Sequence, residues 1–212
     1  MTGLTLPEAL RWSDGSLYYS DAAAGGVYRW RAGEVETVVP KRRGVGGLVT
    51  HAAGGIVISG RDLIHVRDGE TRPLFAAEGA RGLNDLTTDR NGRVLVGSLR
   101  MDWARPEDGS PGEVWRVGPG GEPDRILDAV EYPNGIGFSP DGKRFYVADF
   151  VGRCVHVAEL GPRAGKVAAR RILTAVEGNP DGLAVDEEGG VWVACGPAGS
   201  FNRYSPDGEL LE

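Results

Sequence analysis

What the chain has little of narrows its chemistry first. It holds two cysteines and three histidines in 212 residues. Cys154 and Cys195 sit inside the apolar runs 153–157 and 192–196, so they read as small buried hydrophobes, and their spacing does not suggest a metal. His51, His65 and His156 are scattered, the first in a turn and the others in strands, which fits packed or surface histidines better than ligands. There is no Gly-x-Ser-x-Gly elbow, no His-Glu-x-x-His pair and no P-loop lysine, so serine-hydrolase, zinc-helix and nucleotide chemistry find no support. No apolar run approaches the ~20 residues of a membrane helix. The N-terminus also lacks the charged-then-apolar design of a secretory signal, so a cytoplasmic chain with no membrane partner is expected. Positive charge is scarce: 24 Lys and Arg stand against 30 Asp and Glu, for a net charge of −6. The one basic cluster, Lys41-Arg42-Arg43, reads as a solvated loop, and nucleic acid is not an expected partner.

What is abundant is glycine, 34 residues where average usage would give roughly 15. Glycine reaches positive φ without steric cost, so this excess predicts many tight reversals between short strands. The reversals recur with a pattern. Segments 8–21, 46–59, 84–97, 134–149 and 181–194 align, each running from an opening residue through a small or acidic residue, a short aliphatic strand, a polar turn ending in Gly and a second apolar strand. The turns at Ser13-Asp14-Gly15, Arg90-Asn91-Gly92, Pro140-Asp141-Gly142 and Glu187-Glu188-Gly189 carry hairpin chemistry. Third strands follow at 26–30, 112–117, 153–157 and 200–204, and less regular fourth stretches at 35–39, 73–75, 125–127 and 170–173. No run has helical periodicity.

The opening residues are 38, 38, 50 and 47 residues apart, which brackets the ~40–50 residue period of propeller blades. A four-stranded unit cannot bury both faces alone, so successive units must stack about an axis. The expectation is an all-β, single-domain β-propeller over residues 1–212, with units near 8–40, 46–78, 84–130, 134–176 and 181–212.

In a propeller the first strand of each blade lines the central channel, so the opening residues converge on the axis. Here they are Glu8, Gly46, Asn84, Asn134 and Asp181, four of them with oxygen-bearing side chains. Asn and Asp before a strand can simply serve local turns. Their recurrence at one position in separate units points instead to a shared cation, since hard divalent ions take carboxylate and amide oxygens. Calcium is the first expectation, with zinc, manganese or magnesium as alternatives.

The motifs Pro133-Asn134-Gly135-Ile136, Ser139-Pro-Asp-Gly142 and Tyr146-Val-Ala-Asp149, followed by Asn179-Pro-Asp181-Gly-Leu-Ala-Val-Asp186 and Val191-Trp-Val-Ala194, resemble the senescence-marker-protein, gluconolactonase and regucalcin family. Leu83-Asn84-Asp85-Leu86 and the Asp89–Gly92 turn belong to the same pattern, and the resemblance covers essentially the whole chain. It implies a propeller of the six-bladed type with one divalent ion held by a Glu, an Asn and an Asp, which fall on Glu8, Asn134 and Asp181. It also implies a place for Asn84 near both metal and substrate. Where the family shows Glu-Gly-Pro, this chain has Glu8-Ala9-Leu10; where sugar-lactone members carry an Arg two residues before the Asn84 equivalent, it has Gly82, with Arg81 one place earlier. About five blades fit in the sequence, so the C-terminal blade is expected to be missing, leaving a fragment, an open ring needing a partner, or a re-spaced closed ring. An N-terminal strand within residues 1–6 would be the usual means of completing a final blade.

The expected function is metal-dependent hydrolysis of a small lactone or ester, with Asp181 as general base and Asn84 orienting a substrate oxygen. A propeller binding platform around a structural calcium, and a phosphotriesterase-like hydrolase, are the alternatives, because the fold alone decides no function. The loop 101–111 offers Trp103, Arg105 and Glu107 as candidate substrate contacts. The sequence does not set the oligomeric state.

Overall fold

A computed structural model describes residues 3–161, 166–196 and 199–212. The first blade is the antiparallel sheet β1 (Pro7–Ser13), β2 (Ser16–Asp21), β3 (Val27–Arg31) and β4 (Glu34–Val39). The second contains β5 (Leu48–Thr50), β6 (Ile56–Ile58), β7 (Leu63–Arg67) and β8 (Glu70–Phe75). The third contains β9 (Gly82–Thr88), β10 (Val94–Leu99), β11 (Gly112–Val117) and β12 (Pro123–Val130). The fourth contains β13 (Pro133–Phe138), β14 (Arg144–Asp149), β15 (Cys154–Leu160) and β16 (Val167–Ala175). The fifth has three strands, β17 (Pro180–Val185), β18 (Val191–Cys195) and β19 (Ser200–Tyr204). The chain is an all-β propeller of five blades. Among the described residues the only helical turn is a 3₁₀ segment at Pro106–Asp108, and no helix is long and apolar enough to cross a membrane.

Turn chemistry sets the hairpins. Ser13 pairs with Ser16, so Asp14-Gly15 is a two-residue loop, and both residues have positive φ (48° and 72°), as a type I′ turn requires. In the wider turns an aspartate does the closing: Asp89 Oδ1 accepts the N–H groups of Asn91 and Arg93, and Asp186 Oδ1 those of Glu188 and Gly190.

Packing runs between blades. Four apolar clusters join neighbouring sheets: Val27, Leu48 and Ile58 between the first and second, Val57, Leu86 and Val96 between the second and third, Leu95, Ile136 and Phe145 between the third and fourth, and Tyr146, Val191 and Val193 between the fourth and fifth. Each such side chain contributes about 1.5–3 kcal/mol of burial. Among the described residues no fifth cluster joins the last blade to the first. Instead Leu10, on the first blade, and Phe201, on the fifth, are 64% and 73% exposed and flank a cleft of about 530 Å³ between β1 and β17–β19. The ring is therefore open rather than re-spaced into a closed five-bladed form. The described N-terminal residues do not complete the last sheet, since Thr5 and Leu6 donate to Asp21 of the first blade; Met1 and Thr2 lie outside the described residues. The C-terminal tail supplies the beginnings of a fourth strand, with Leu211 donating to Arg203 and Arg203 to Glu212.

Candidate active site

The first strand of four blades carries a register shift at its start. Asn84 and Asp85 together oppose Gly97, Asn134 and Gly135 oppose Ala148, and Asp181 and Gly182 oppose Ala194. In the first blade Glu8 pairs with Ser20 and the shift follows at once, before Arg11. Such bulges twist a strand and re-aim a side chain, and here Asn84, Asn134 and Asp181 lie within them. The close approach of the blades depends on small neighbours. A Cβ on Gly47 would collide with the backbone N of Leu86, and one on Gly135 with that of Leu183.

Glu8, Asn84, Asn134 and Asp181 all line one axial cavity of about 450 Å³. Asn134 Nδ2 donates to Asp181 Oδ1 at 2.6 Å, and Asn84 Nδ2 donates to the Pro133 carbonyl at 3.1 Å, which ties the third blade to the fourth. Gly46, the opening residue of the second blade, has no side chain because Asn84 Oδ1 occupies the space a Cβ would need. The structure thus brings the four sequence-chosen residues together. A second cavity, of about 470 Å³, shares Glu8, Gly46 and Asn134 with the first and continues along the first strands past Arg11, Asp85 and Thr87.

Asp85 was not singled out from the sequence. The position after the opening residue is Ala9, Gly47, Gly135 and Gly182 in the other blades, so an aspartate there was the visible outlier. Its carboxylate accepts the N–H of Leu86 at 2.7 Å and that of Ile136 in the next blade, replacing the glycine contact with a polar link. Burial lifts its pKa from 3.8 to about 7 despite those bonds and the nearby Arg11 charge.

The electrostatics of the waist are those of crowded acids. Burial, then the charges of Asp181 and Asp85, push Glu8 from 4.5 up to about 7, and burial raises Asp181 against the opposing bond from Asn134. Like charges drawn together out of water disfavour ionisation, and a cation among them would reverse that. The donors are all oxygen, with Asn134 keeping its Oδ1 free of the bond its amide nitrogen makes, so Glu8, Asn134 and Asp181 fit a hard divalent ion.

Asp149, Cys154 and His156 form a second cluster, with ligand atoms within 4.8 Å of one another and all three residues buried. Asp149 has its oxygens committed: it accepts N–H groups from Glu131, Tyr132 and Gly152 and lies 3.2 Å from His156 Nε2. Burial works to raise its pKa, and those bonds outweigh it and hold the pKa down, while burial pushes the Cys154 thiol up to about 11. Asp21 makes the same clamp in the first blade, binding Thr5, Leu6, Ala23 and Ala24. The cluster is accounted for as a strand-to-loop clamp.

Of the loop residues, Trp103 lines the mouth of the axial cavity and packs edge-on against Phe150, 6.0 Å between centroids. Arg105 is 66% exposed and faces Asp102 and Asp108, and neither it nor Glu107 is among the cavity's lining residues. Tyr132, Phe150, Arg61 and Arg81 also line the mouth; of these the sequence pointed only to Arg81, as the arginine one place before Gly82.

Residues 6–212 match the family profile described as the SMP-30/Gluconolactonase/LRE-like region. A 6-deoxy-6-sulfogluconolactonase of Pseudomonas putida is 31% identical over 209 residues, covering 92% of this chain and 69% of that protein. A pentonolactonase of Haloferax volcanii is 29% identical over 202 residues, covering 92% and 67% respectively. The solved structure of a gluconolactonase from Xanthomonas campestris superposes with a TM-score of 0.83 at 26% identity, covering 98% of this chain and 75% of the other.

Proposed function

The chain belongs to the SMP-30/gluconolactonase/LRE-like family, and from that membership and its axial donor set we propose that it is a calcium-dependent lactonase opening small cyclic esters. The observation that carries the reading is the meeting of Glu8, Asn84, Asn134 and Asp181 at one cavity, from blades widely separated in sequence, with acids whose charges demand a partner. Lactone-hydrolysing relatives that each match about nine-tenths of the chain support the reaction class.

Glu8, Asn134 and Asp181 would hold the ion, which when bound supplies polarisation of the ester carbonyl and a lowered pKa for water. Asp181 accepts the proton of the attacking water as that water's oxygen bonds to the carbonyl carbon. The ring C–O bond then breaks, the proton passes to the departing alkoxide oxygen, and a hydroxy acid results, which ionises in solvent. Asn84, fixed by its bond to Pro133, presents its free Oδ1 to a substrate hydroxyl. Trp103, Tyr132 and Phe150, in contact with one another, supply the aromatic lining of the mouth. A small lactone is the only partner the reading requires, and the cytoplasm is the compartment proposed for it.

The test is turnover of a lactone panel by pH-stat with calcium and with chelator. Calcium-dependent hydrolysis that Asp181→Asn abolishes, in a variant that still folds, is expected. A calcium-induced melting shift with no turnover of any lactone would mark a binding platform instead.

A further inference from the structure

The mouth of the axial cavity carries two arginines, Arg61 and Arg81. Gly60 and Leu83 form an antiparallel bridge, with both N–H groups bonded across at 3.2 and 2.6 Å, so the segment leaving the second blade is locked against the one entering the third. Arg61 follows Gly60, and Arg81 precedes Leu83 by two residues with its N–H bonded to the Leu99 carbonyl at 2.7 Å. Both arginines line the mouth. The acids beside them are engaged. Asp62, beside Arg61, is held by Arg42 at 2.6 Å. Asp102 stands 4.0 Å from Arg81 and 3.9 Å from Arg105, shared between the two. Arg61 has no hydrogen bond or ion pair among the described residues, and the Arg81 side chain is 61% exposed. Tyr132 and Phe150, packed at 5.8 Å, and Trp103 are the uncharged side chains of the same mouth.

We infer that the preferred substrate is a lactone bearing an anionic substituent, a phosphate, sulfonate or carboxylate, which Arg61 and Arg81 hold at the rim while the ester lies over Glu8, Asn134 and Asp181. This deepens the lactonase reading and rests on it. Guanidinium groups bind oxyanions through paired N–H donors, and two of them on a bridged, hydrogen-bonded scaffold lose little freedom in doing so. The acid floor does not repel such a substrate once the ion offsets it, because the anion sits at the mouth and only the carbonyl reaches the waist. Gly82, between Arg81 and Leu83, lies so close to Gly60 that an added Cβ would come within 3.1 Å of the Gly60 carbonyl oxygen. Arg61 and Arg81, brought together by the Gly60–Leu83 bridge, are placed to read a group at the rim rather than at the ester.

The experiment compares glucono-1,5-lactone with its 6-phosphate ester, using the calcium-loaded protein, Arg61→Ala and Arg81→Ala. The expected result is a kcat/KM ratio favouring the phosphorylated lactone by about tenfold or more, carried in KM, that collapses toward unity in either variant. Equal turnover of the two lactones, or a preference that survives both substitutions, overturns the inference and leaves the lactonase reading standing. Calorimetry with the ring-opened acids provides a readout independent of turnover. 6-Phosphogluconate binding tighter than gluconate in the wild type alone supports the arginine site, and equal affinities overturn it. If neither lactone is hydrolysed, the hydrolase reading fails, and the calorimetric comparison alone then decides whether the mouth holds anions.

Discussion

Asp181→Asn separates the electrostatic strain at the axis from ion binding. Glu8 is raised from 4.5 to about 7, with burial the largest cause and the Asp181 charge the second. A displacement of that size corresponds to roughly 3 kcal/mol, and since the share of Asp181 is smaller than that of burial, removing its charge should recover about 1 kcal/mol. Asparagine is nearly isosteric, and its Oδ1 can still accept the bond that Asn134 donates at 2.6 Å. A carboxyl whose pKa is raised by folding favours the folded state below its unfolded value and loses that contribution as pH rises through the folded value. Ion-free wild-type protein should therefore lose stability from about pH 4.5 to about pH 7, and the variant should lose less. Without calcium near pH 8 the variant should melt higher, by about 2–4 °C for 1 kcal/mol in a chain of this size; near pH 4, with Glu8 protonated, the two should converge. With calcium near pH 8 the order should reverse, because the wild type alone keeps both carboxylates for the ion. Melting curves across this range, with calcium and with chelator, measure all three. A variant that melts at or below the wild type without ion near pH 8, or that keeps the full calcium shift, refutes the reasoning.

Gly135→Ala should drive the fourth and fifth blades apart, because its Cβ would collide with Leu183 beside Asp181; a lower melting temperature and a weakened calcium shift are expected, and an unaltered shift would show that blade spacing does not set the site. Leu86→Ala, at a side chain 1% exposed, should cost about 2–5 kcal/mol in urea denaturation and would contradict the inter-blade core if it cost less than about 1. Asp149→Asn should cost about 1–3 kcal/mol by disturbing the bonds from Glu131, Tyr132 and Gly152 while leaving the calcium shift intact. Loss of that shift would instead place the ion at Asp149, Cys154 and His156.

The fold was legible because its grammar is local. A Gly that closes a hairpin at Asp14-Gly15 or Pro140-Asp141-Gly142 does so wherever it occurs, and five recurrences of one pattern leave little room for another architecture. Strand ends were less legible: the outer strands Glu70–Phe75 and Val167–Ala175 run well beyond the short apolar cores at 73–75 and 170–173, since an exposed outer strand needs few hydrophobic residues. At the site, Glu8, Asn84, Asn134 and Asp181 could be picked out because a repeat turns position within a unit into position in space. Asp85 escaped because one register position was read per blade, whereas a bulge makes two consecutive residues face inward. Arg61, and its pairing with the Arg81 noted beside Gly82, escaped for a different reason: both belong to connecting segments outside the repeat, and only the Gly60–Leu83 bridge shows that two distant loops share one rim.

Anomalous diffraction from crystals grown with manganese as a stand-in for calcium tests the central claim most directly. The account predicts one strong peak on the propeller axis, bonded by Glu8, Asn134 and Asp181 at distances of about 2.0–2.6 Å, those of hard divalent ions on oxygen. A peak at Asp149, Cys154 and His156, or density only at surface carboxylates with the axial acids unligated, would contradict it.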